Sequence, residues 1–157
     1  MQSPFPSHQA APASNSQALL NATAGQWLEI AYQYFQGDQI DKALEAANWS
    51  LAVDIRQPEA WNVRGVALNL LNQWDSAMEA YDEALAIDHR FEQAWFNRGV
   101  LFQERGAWAR AIVCYRQVLR LNPEAHGAEK QLAKLESGLG LHGRTDDRPV
   151  KPMLLSA

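Results

Sequence analysis

The residues of this chain whose types suit them to chemistry are few and scattered. Cys114 is its one thiol and stands beside Tyr115. A nucleophilic cysteine needs a base within hydrogen-bond reach, and no histidine partner is evident, so we expect a packing thiol. The histidines His8, His89, His126 and His142 show no i, i+4 pairing with one another or with cysteine. No metal site is expected from that spacing. Gly138 to Gly143, "GLGLHG", matches the dinucleotide fingerprint letter for letter. That fingerprint requires a strand before it and a helix after it. Here a predicted helix precedes it and a polar tail follows, so it reads as helix termination and linker. Asn21-Ala22-Thr23 and Asn48-Trp49-Ser50 match the glycosylation sequon, the second inside a predicted helix. Pro149 to Pro152 is a minimal PxxP, common in tails. No Ser/His/Asp set and no carboxylate pair falls on facing elements. An enzyme is not expected, and neither is a cofactor.

Composition narrows the field further. With 157 residues, 47% apolar, the chain has material for one core rather than two. Its net charge of −4 argues against a nucleic-acid surface, which needs clustered Lys and Arg. No apolar run reaches the length that spans a bilayer. Residues 1–23 carry no charged side chain and hold Pro4, Pro6 and Pro12. They lack the basic start and continuous apolar stretch of a secretory signal, and we expect a flexible arm. A similarly disordered tail is expected over 141–157. A lone cysteine fits a reducing compartment, so a cytoplasmic setting is expected.

The elements that position these residues repeat. "AWNVRG", Ala60 to Gly65, returns as "AWFNRG", Ala94 to Gly99. Trp27, Trp61 and Trp95 stand 34 residues apart, and other columns keep the same interval. They include Ala31/Gly65/Gly99, Ile40/Trp74/Trp108, Ala43/Ala77/Ala111, Ala47/Tyr81/Tyr115 and Asp54/Asp88/Asn122. A fixed period of this length is the signature of a repeat array. Within each unit the apolar spacing is helical: Trp95, Gly99 and Phe102 form one stripe, and Ala111, Tyr115 and Val118 a second. The break between them falls at Arg105-Gly106, Asn72-Gln73 and Gly37-Asp38. Asp41 and Asp75 stand where side-chain caps of the second helices are expected. Pro58 and Pro123 suit the first turn of the helix that follows. Each unit is therefore a helical hairpin. Small residues in the repeated columns let two backbones approach, and a large residue opposite fills the space left.

This pattern resembles the tetratricopeptide repeat. The third unit matches best, with Trp95, Gly99, Phe102, Gly106, Ala111, Tyr115 and Pro123. The second keeps Trp61, Gly65, Ala77, Tyr81 and Ala84. The first diverges, with Ala31 for glycine, Ala47 for the aromatic, and a turn glycine, Gly37, one residue early. The resemblance implies an all-α solenoid of three hairpins plus a C-terminal capping helix. Its divisions are an arm (1–23), repeats at 24–57, 58–91 and 92–125, a capping helix at 126–140 and the tail at 141–157. The capping helix should open at Asn122-Pro123 and bury Ala128, Leu132 and Leu135, with Glu129, Lys130, Lys134 and Glu136 toward water.

The resemblance also implies a function. In such arrays the first helices of successive hairpins line a concave groove that holds a peptide. The second, fifth, ninth and twelfth positions of each unit would face it. These are Gly25, Leu28, Tyr32 and Phe35, then Glu59, Asn62, Val66 and Asn69, then Gln93, Phe96, Val100 and Gln103. Contiguous exposed apolar residues mark binding surfaces, and Asn or Gln can meet a partner's backbone. The expected partner is a protein or peptide segment, apolar in character. Alternatively Leu28, Tyr32 and Phe35 pack beneath the N-terminal arm as a cap. One branch of the family grips acidic chaperone tails with cations. Leu28, Tyr32, Val63, Gln93 and Asn97 stand at the matching places here, and none is cationic. Arg64 and Arg98 are expected to reach carboxylates of a neighbouring hairpin. An adaptor or an assembly factor for a larger complex is implied. A self-associating scaffold is the competing expectation, so a homo-oligomer remains open.

Overall fold

The computed structural model describes residues 22–138, and within them the chain forms seven helices and no strand. They are α1 (Ala24–Gln36), α2 (Ile40–Val53), α3 (Pro58–Leu70), α4 (Trp74–Ile87), α5 (Glu92–Glu104), α6 (Trp108–Leu121) and α7 (His126–Gly138). The expected arm up to Asn21, the expected tail, and the fingerprint beyond Gly138 lie outside the described residues. So do the first sequon's Asn21, His8, His142 and the PxxP. Among the described residues no helix is long and apolar enough to cross a membrane.

The turn within each hairpin is the same device used three times. Asp38, Asn72 and Gly106 take positive φ values of 56°, 60° and 71°, at equivalent positions of the three units. The amide after each donates back to the first helix: Gln39 to the Tyr34 carbonyl, Gln73 to Leu68 and Ala107 to Phe102. This is a Schellman turn, which caps the last carbonyls and reverses the chain. Gly37, at φ −87°, does not take the left-handed position. Asp38 does, because aspartate and asparagine tolerate that conformation through local hydrogen bonds. The second helix starts at once after the turn, at Ile40 and Trp74. The expectation that Asp41 and Asp75 are caps is therefore corrected. The caps are Gln39 and Gln73, with no side-chain capping bond, and both aspartates sit in the first turn. There their charge faces the positive end of the helix dipole.

Between hairpins, another column finds its reason. Asp54 Oδ1 accepts from Arg56 N at 3.0 Å, Asp88 Oδ1 from Arg90 N at 2.9 Å, and Asn122 Oδ1 from Glu124 N at 3.1 Å. Each holds a tight Asx turn. Pro58 opens α3 as expected. Pro123 instead occupies the turn made by Asn122, and α7 begins only at His126. Asn122 uses its side chain on that turn and is spent as a helix cap. Thr23 and Gln26 form a reciprocal capping box at the start of α1, a signal not read from the sequence.

Packing explains the small columns. A Cβ built on Gly65 would lie 2.5 Å from Tyr81 Cε1, and one on Gly99 would lie 2.9 Å from Tyr115 Cε1. Glycine is what lets each ring lie across the partner helix. The tryptophans of the period are half-buried rather than central. Trp61 Nε1 donates to the Ile55 carbonyl at 2.8 Å, and Trp95 Nε1 donates to that of His89 at 2.9 Å. Each thus ties the preceding inter-hairpin loop to its own helix. At the C-terminal end α7 packs on α6, burying Ala128 and Leu135, with Leu132 half-buried against the same cluster. Glu129, Lys130 and Glu136 are exposed, while Lys134 is half-buried.

The hairpins stack into a curved array. First helices of successive hairpins touch one another, α1 with α3 and α3 with α5, and no pair of second helices does so to a comparable extent. The row of first helices is thus the inner side of the curve. The fold is an all-α helical repeat solenoid.

Candidate partner-binding groove

Of the residues expected to line the groove, the array treats those of the first hairpin differently from the rest. Leu28, Tyr32 and Phe35 are half-buried on one face of α1, against the cluster of Ala31, Ala46, Ala47 and Val63. They have no earlier hairpin beside them within the described residues. Glu59, Gln93 and Gln103 are half-buried as well, and Gly25 is exposed.

The expectation that Asn62, Val66, Asn69, Phe96 and Val100 face water is corrected. Asn62 and Val66 are 0% and 1% exposed, Asn69 is 7%, Phe96 is 5% and Val100 is 1%. On α5 the cluster with α6 and α7 covers Phe96 and Val100; on α3 the next first helix, in direct contact, covers Asn62, Val66 and Asn69. The asparagines serve that contact rather than an outside backbone. Asn97 Nδ2 on α5 donates to Asn62 Oδ1 on α3 at 2.8 Å, and Asn69 Nδ2 donates to Glu104 Oε2 at 3.0 Å. Pairing of this kind is what a buried amide requires. Phe96 and Val100 belong to the core cluster of the third hairpin, and the Phe96 ring tilts against Tyr115 at 5.5 Å. Gln103 accepts from the Tyr115 hydroxyl at 2.9 Å and donates to Gln131 Oε1 on α7 at 3.4 Å.

The tyrosines of this region share one electrostatic setting. Burial holds the phenols of Tyr32, Tyr81 and Tyr115 well above the ordinary tyrosine range. Glu59 and Glu29 push Tyr32 further, and Glu104 does the same for Tyr81 and Tyr115. All three stay protonated at neutral pH and present neutral hydroxyls. The Tyr115 hydroxyl is bonded to Gln103, whereas those of Tyr32 and Tyr81 are buried with no hydrogen-bond partner among the described residues, as is Asn69 Oδ1.

Arg64 and Arg98 turn away from the inner side. Arg98 Nε lies 2.9 Å from Asp82 Oδ1 on α4, the neighbouring hairpin's carboxylate that was expected. Arg64 Nε meets an amide instead, donating to Asn48 Oδ1 on α2 at 3.0 Å. Each guanidinium also lies over its own unit's tryptophan, at 5.4 Å from Trp61 and 5.5 Å from Trp95. A recess of about 520 Å³ beside Arg98 is lined by Phe102, Ala109, Arg110, Val113 and Cys114. Burial raises the Cys114 thiol to about 11, with Arg98 nearby only partly offsetting it. A thiol held so high is a poor nucleophile at neutral pH. Among the described residues no three or more His, Cys, Asp or Glu side chains gather as a metal site.

Two family sequence models match the chain. One described as "Tetratricopeptide repeat" covers residues 92–124, and one described as "TPR repeat" covers 65–106. No curated protein matches the chain. Solved structures match its fold. The first TPR of Spaghetti (RPAP3) bound to the HSP90 peptide SRMEEVD has a TM-score of 0.72 at 23% identity, covering 76% of this chain and 94% of that one. MamA has a TM-score of 0.73 at 19% identity, covering 82% and 77%. The Arabidopsis OM64 TPR domain has 0.69 at 20%, covering 80% and 99%. The matched segments take in the columns with Gly65, Tyr81, Gly99 and Tyr115, and the hairpin they specify is the one the structure shows three times. Residues 65–124 thus match the tetratricopeptide repeat, and the fold of the described residues is similar to that of tetratricopeptide repeat structures.

Proposed function

We propose that this protein is a non-catalytic interaction module that holds a short segment of a partner protein on the inner side of its array. The observation that carries this reading is the row of Leu28, Tyr32 and Phe35. Three large apolar side chains stand half-buried on one helix face, against Val63 of the second hairpin and with no earlier hairpin beside them within the described residues. Apolar surface of that kind gains free energy when a partner removes it from water. Gln93 and Glu59 add polar contacts at the rim. A similar fold holds a peptide in the RPAP3 structure. An acidic tail of that type does not suit this chain, because Leu28, Tyr32, Val63, Gln93 and Asn97 offer it no cation. Two carboxylates placed there would lose water without charge-assisted hydrogen bonds. A role as adaptor or assembly factor follows from such a module. A cytoplasmic setting suits the free, buried Cys114.

The test is affinity capture with the full-length protein, comparing wild type with Leu28→Glu. Leu28 is half-buried, and binding energy in such interfaces concentrates in a few apolar anchors. Captured partners should fall by about tenfold or more, a loss on the order of 1–3 kcal/mol, while the helical melt stays near that of wild type. Calorimetry with SRMEEVD should show no meaningful binding. Unchanged capture by Leu28→Glu would move the site off the first hairpin.

A further inference from the structure

One seat recurs in all three hairpins, and only in the middle copy do its polar atoms lack partners among the described residues. It pairs the twelfth position of the first helix with the aromatic column of the second. In the first hairpin it is filled by carbon, Phe35 with Ala47. In the third it is closed by polar pairing: the Tyr115 hydroxyl donates to Gln103 at 2.9 Å and Gln103 donates onward to Gln131 at 3.4 Å. In the second the residue is Asn69, one methylene shorter than glutamine. Its amide nitrogen is drawn to Glu104 at 3.0 Å, and Asn69 Oδ1 and the Tyr81 hydroxyl are buried without partners among the described residues. Two unpaired polar atoms in a packed seam are costly, and native structures rarely keep them without use.

The chemistry of the seat is one-sided. From outside inward it consists of exposed Glu104, Asn69 at 7% exposure and Tyr81 at 0%. Its atoms are a carboxylate, an amide oxygen and a phenol oxygen, all able to accept. The group that satisfies several acceptors and a negative charge together is a guanidinium or an ammonium. The surroundings carry the same sign. Glu29 and Glu59 bear on the Tyr32 hydroxyl, also buried and unpartnered. The only arginines on the inner helices, Arg64 and Arg98, are engaged with Asn48 and Asp82.

We propose that the groove selects a partner segment bearing an arginine or lysine among apolar residues, its cation seated against Glu104, Asn69 and Tyr81. This rests on the groove reading above and adds the charge of the ligand to it. Glu104 meets the cation first, and Asn69 Oδ1 is the second acceptor. Apolar neighbours of the cation then lie toward Leu28, Tyr32 and Phe35.

Short random-sequence peptides displayed on phage and selected on the immobilised full-length protein test it. Selected peptides should be enriched in Arg or Lys flanked by apolar residues. The best binder, resynthesised with citrulline for arginine or with glutamine for lysine, should bind about tenfold or more weakly, the scale of one charge-assisted hydrogen bond. Glu104→Gln should abolish that difference with the melting temperature unchanged. Asn69→Gln, which copies the third hairpin's closure, should weaken the basic peptide while leaving the fold intact. Apolar peptides selected without basic residues would overturn the cation seat and leave the groove reading standing. No selected peptide at all would overturn both. Basic peptides recovered only on an Arg148→Glu, Lys151→Glu chain would show that the protein's own tail fills the seat, overturning the partner proposal.

Discussion

The first hairpin and the second solve one packing problem with opposite volumes. Where α1 crosses α2, Ala31 meets Ala47, both fully buried. Where α3 crosses α4, Gly65 meets Tyr81 across a gap that a Cβ would close to 2.5 Å. Moving the bulk onto one side brings a phenol into the core, and with it a hydroxyl that must be paired. The third hairpin makes the same choice and pairs its hydroxyl; the second leaves it unpaired. The first brings no hydroxyl to its crossing, and its own buried phenol, unpaired among the described residues, is Tyr32, on α1 away from the crossing. At its helix ends Ser50 Oγ donates to the Ala24 carbonyl at 2.7 Å. The divergent repeat fills the same crossing by another division of volume.

The strongest way to break this comparison is Tyr81→Ala. Deleting a buried aromatic should cost roughly 3–5 kcal/mol, read as a lower urea midpoint with unchanged slope. Adding Gly65→Ala to that variant imports the first hairpin's pairing. The double variant should then be more stable than the sum of the single changes, since the residues touch. Simple additivity would mean that the two crossings are not alternative solutions.

Gly65→Ala alone comes next. Alanine favours a helix over glycine by about 1 kcal/mol, but overpacking against the Tyr81 ring costs about 1–3 kcal/mol. We expect net destabilisation, and a smaller one for Gly99→Ala, where the corresponding approach is 2.9 Å. A stabilised Gly65→Ala protein would show that the ring moves freely and that glycine is not required at the crossing.

The smallest effect is the most discriminating. Tyr115→Phe removes a hydroxyl bonded to Gln103 and should cost about 1 kcal/mol. Tyr81→Phe removes one that has no partner and should be close to neutral, or stabilising by a few tenths of a kcal/mol. Thermal melts of the two single variants compare them directly. Equal losses would mean that the second seat is closed within the protein as the third is.

Much of this architecture was legible in the chain. The 34-residue interval placed the hairpins, and the alternation of small and large columns placed their crossings. Other features were misread for identifiable reasons. Asp41 and Asp75 looked like caps because sequence shows residue type but not that the Schellman turn ends directly in the next helix. Asn122 suits a helix start for the same reason, and only the structure shows that it holds a turn as its column partners Asp54 and Asp88 do. The inner row was legible on α1 and not on α3 or α5. Helical phase gives the same positions in all three, yet only the neighbouring helix, α5 for Asn62 and Val66 and α7 for Phe96, decides whether they still meet water.

Sequence alone determined the helical hairpins, their number and the volumes exchanged at each crossing, because these depend on residues a fixed distance apart within a unit. Tertiary structure decided which polar atoms are paired, because that depends on side chains from adjacent units. Asn69 and Gln103 occupy one column and differ by one methylene. Only the packed array shows that this length joins Gln103 to Tyr115, while Asn69 is drawn to Glu104 and Tyr81 is left without a partner.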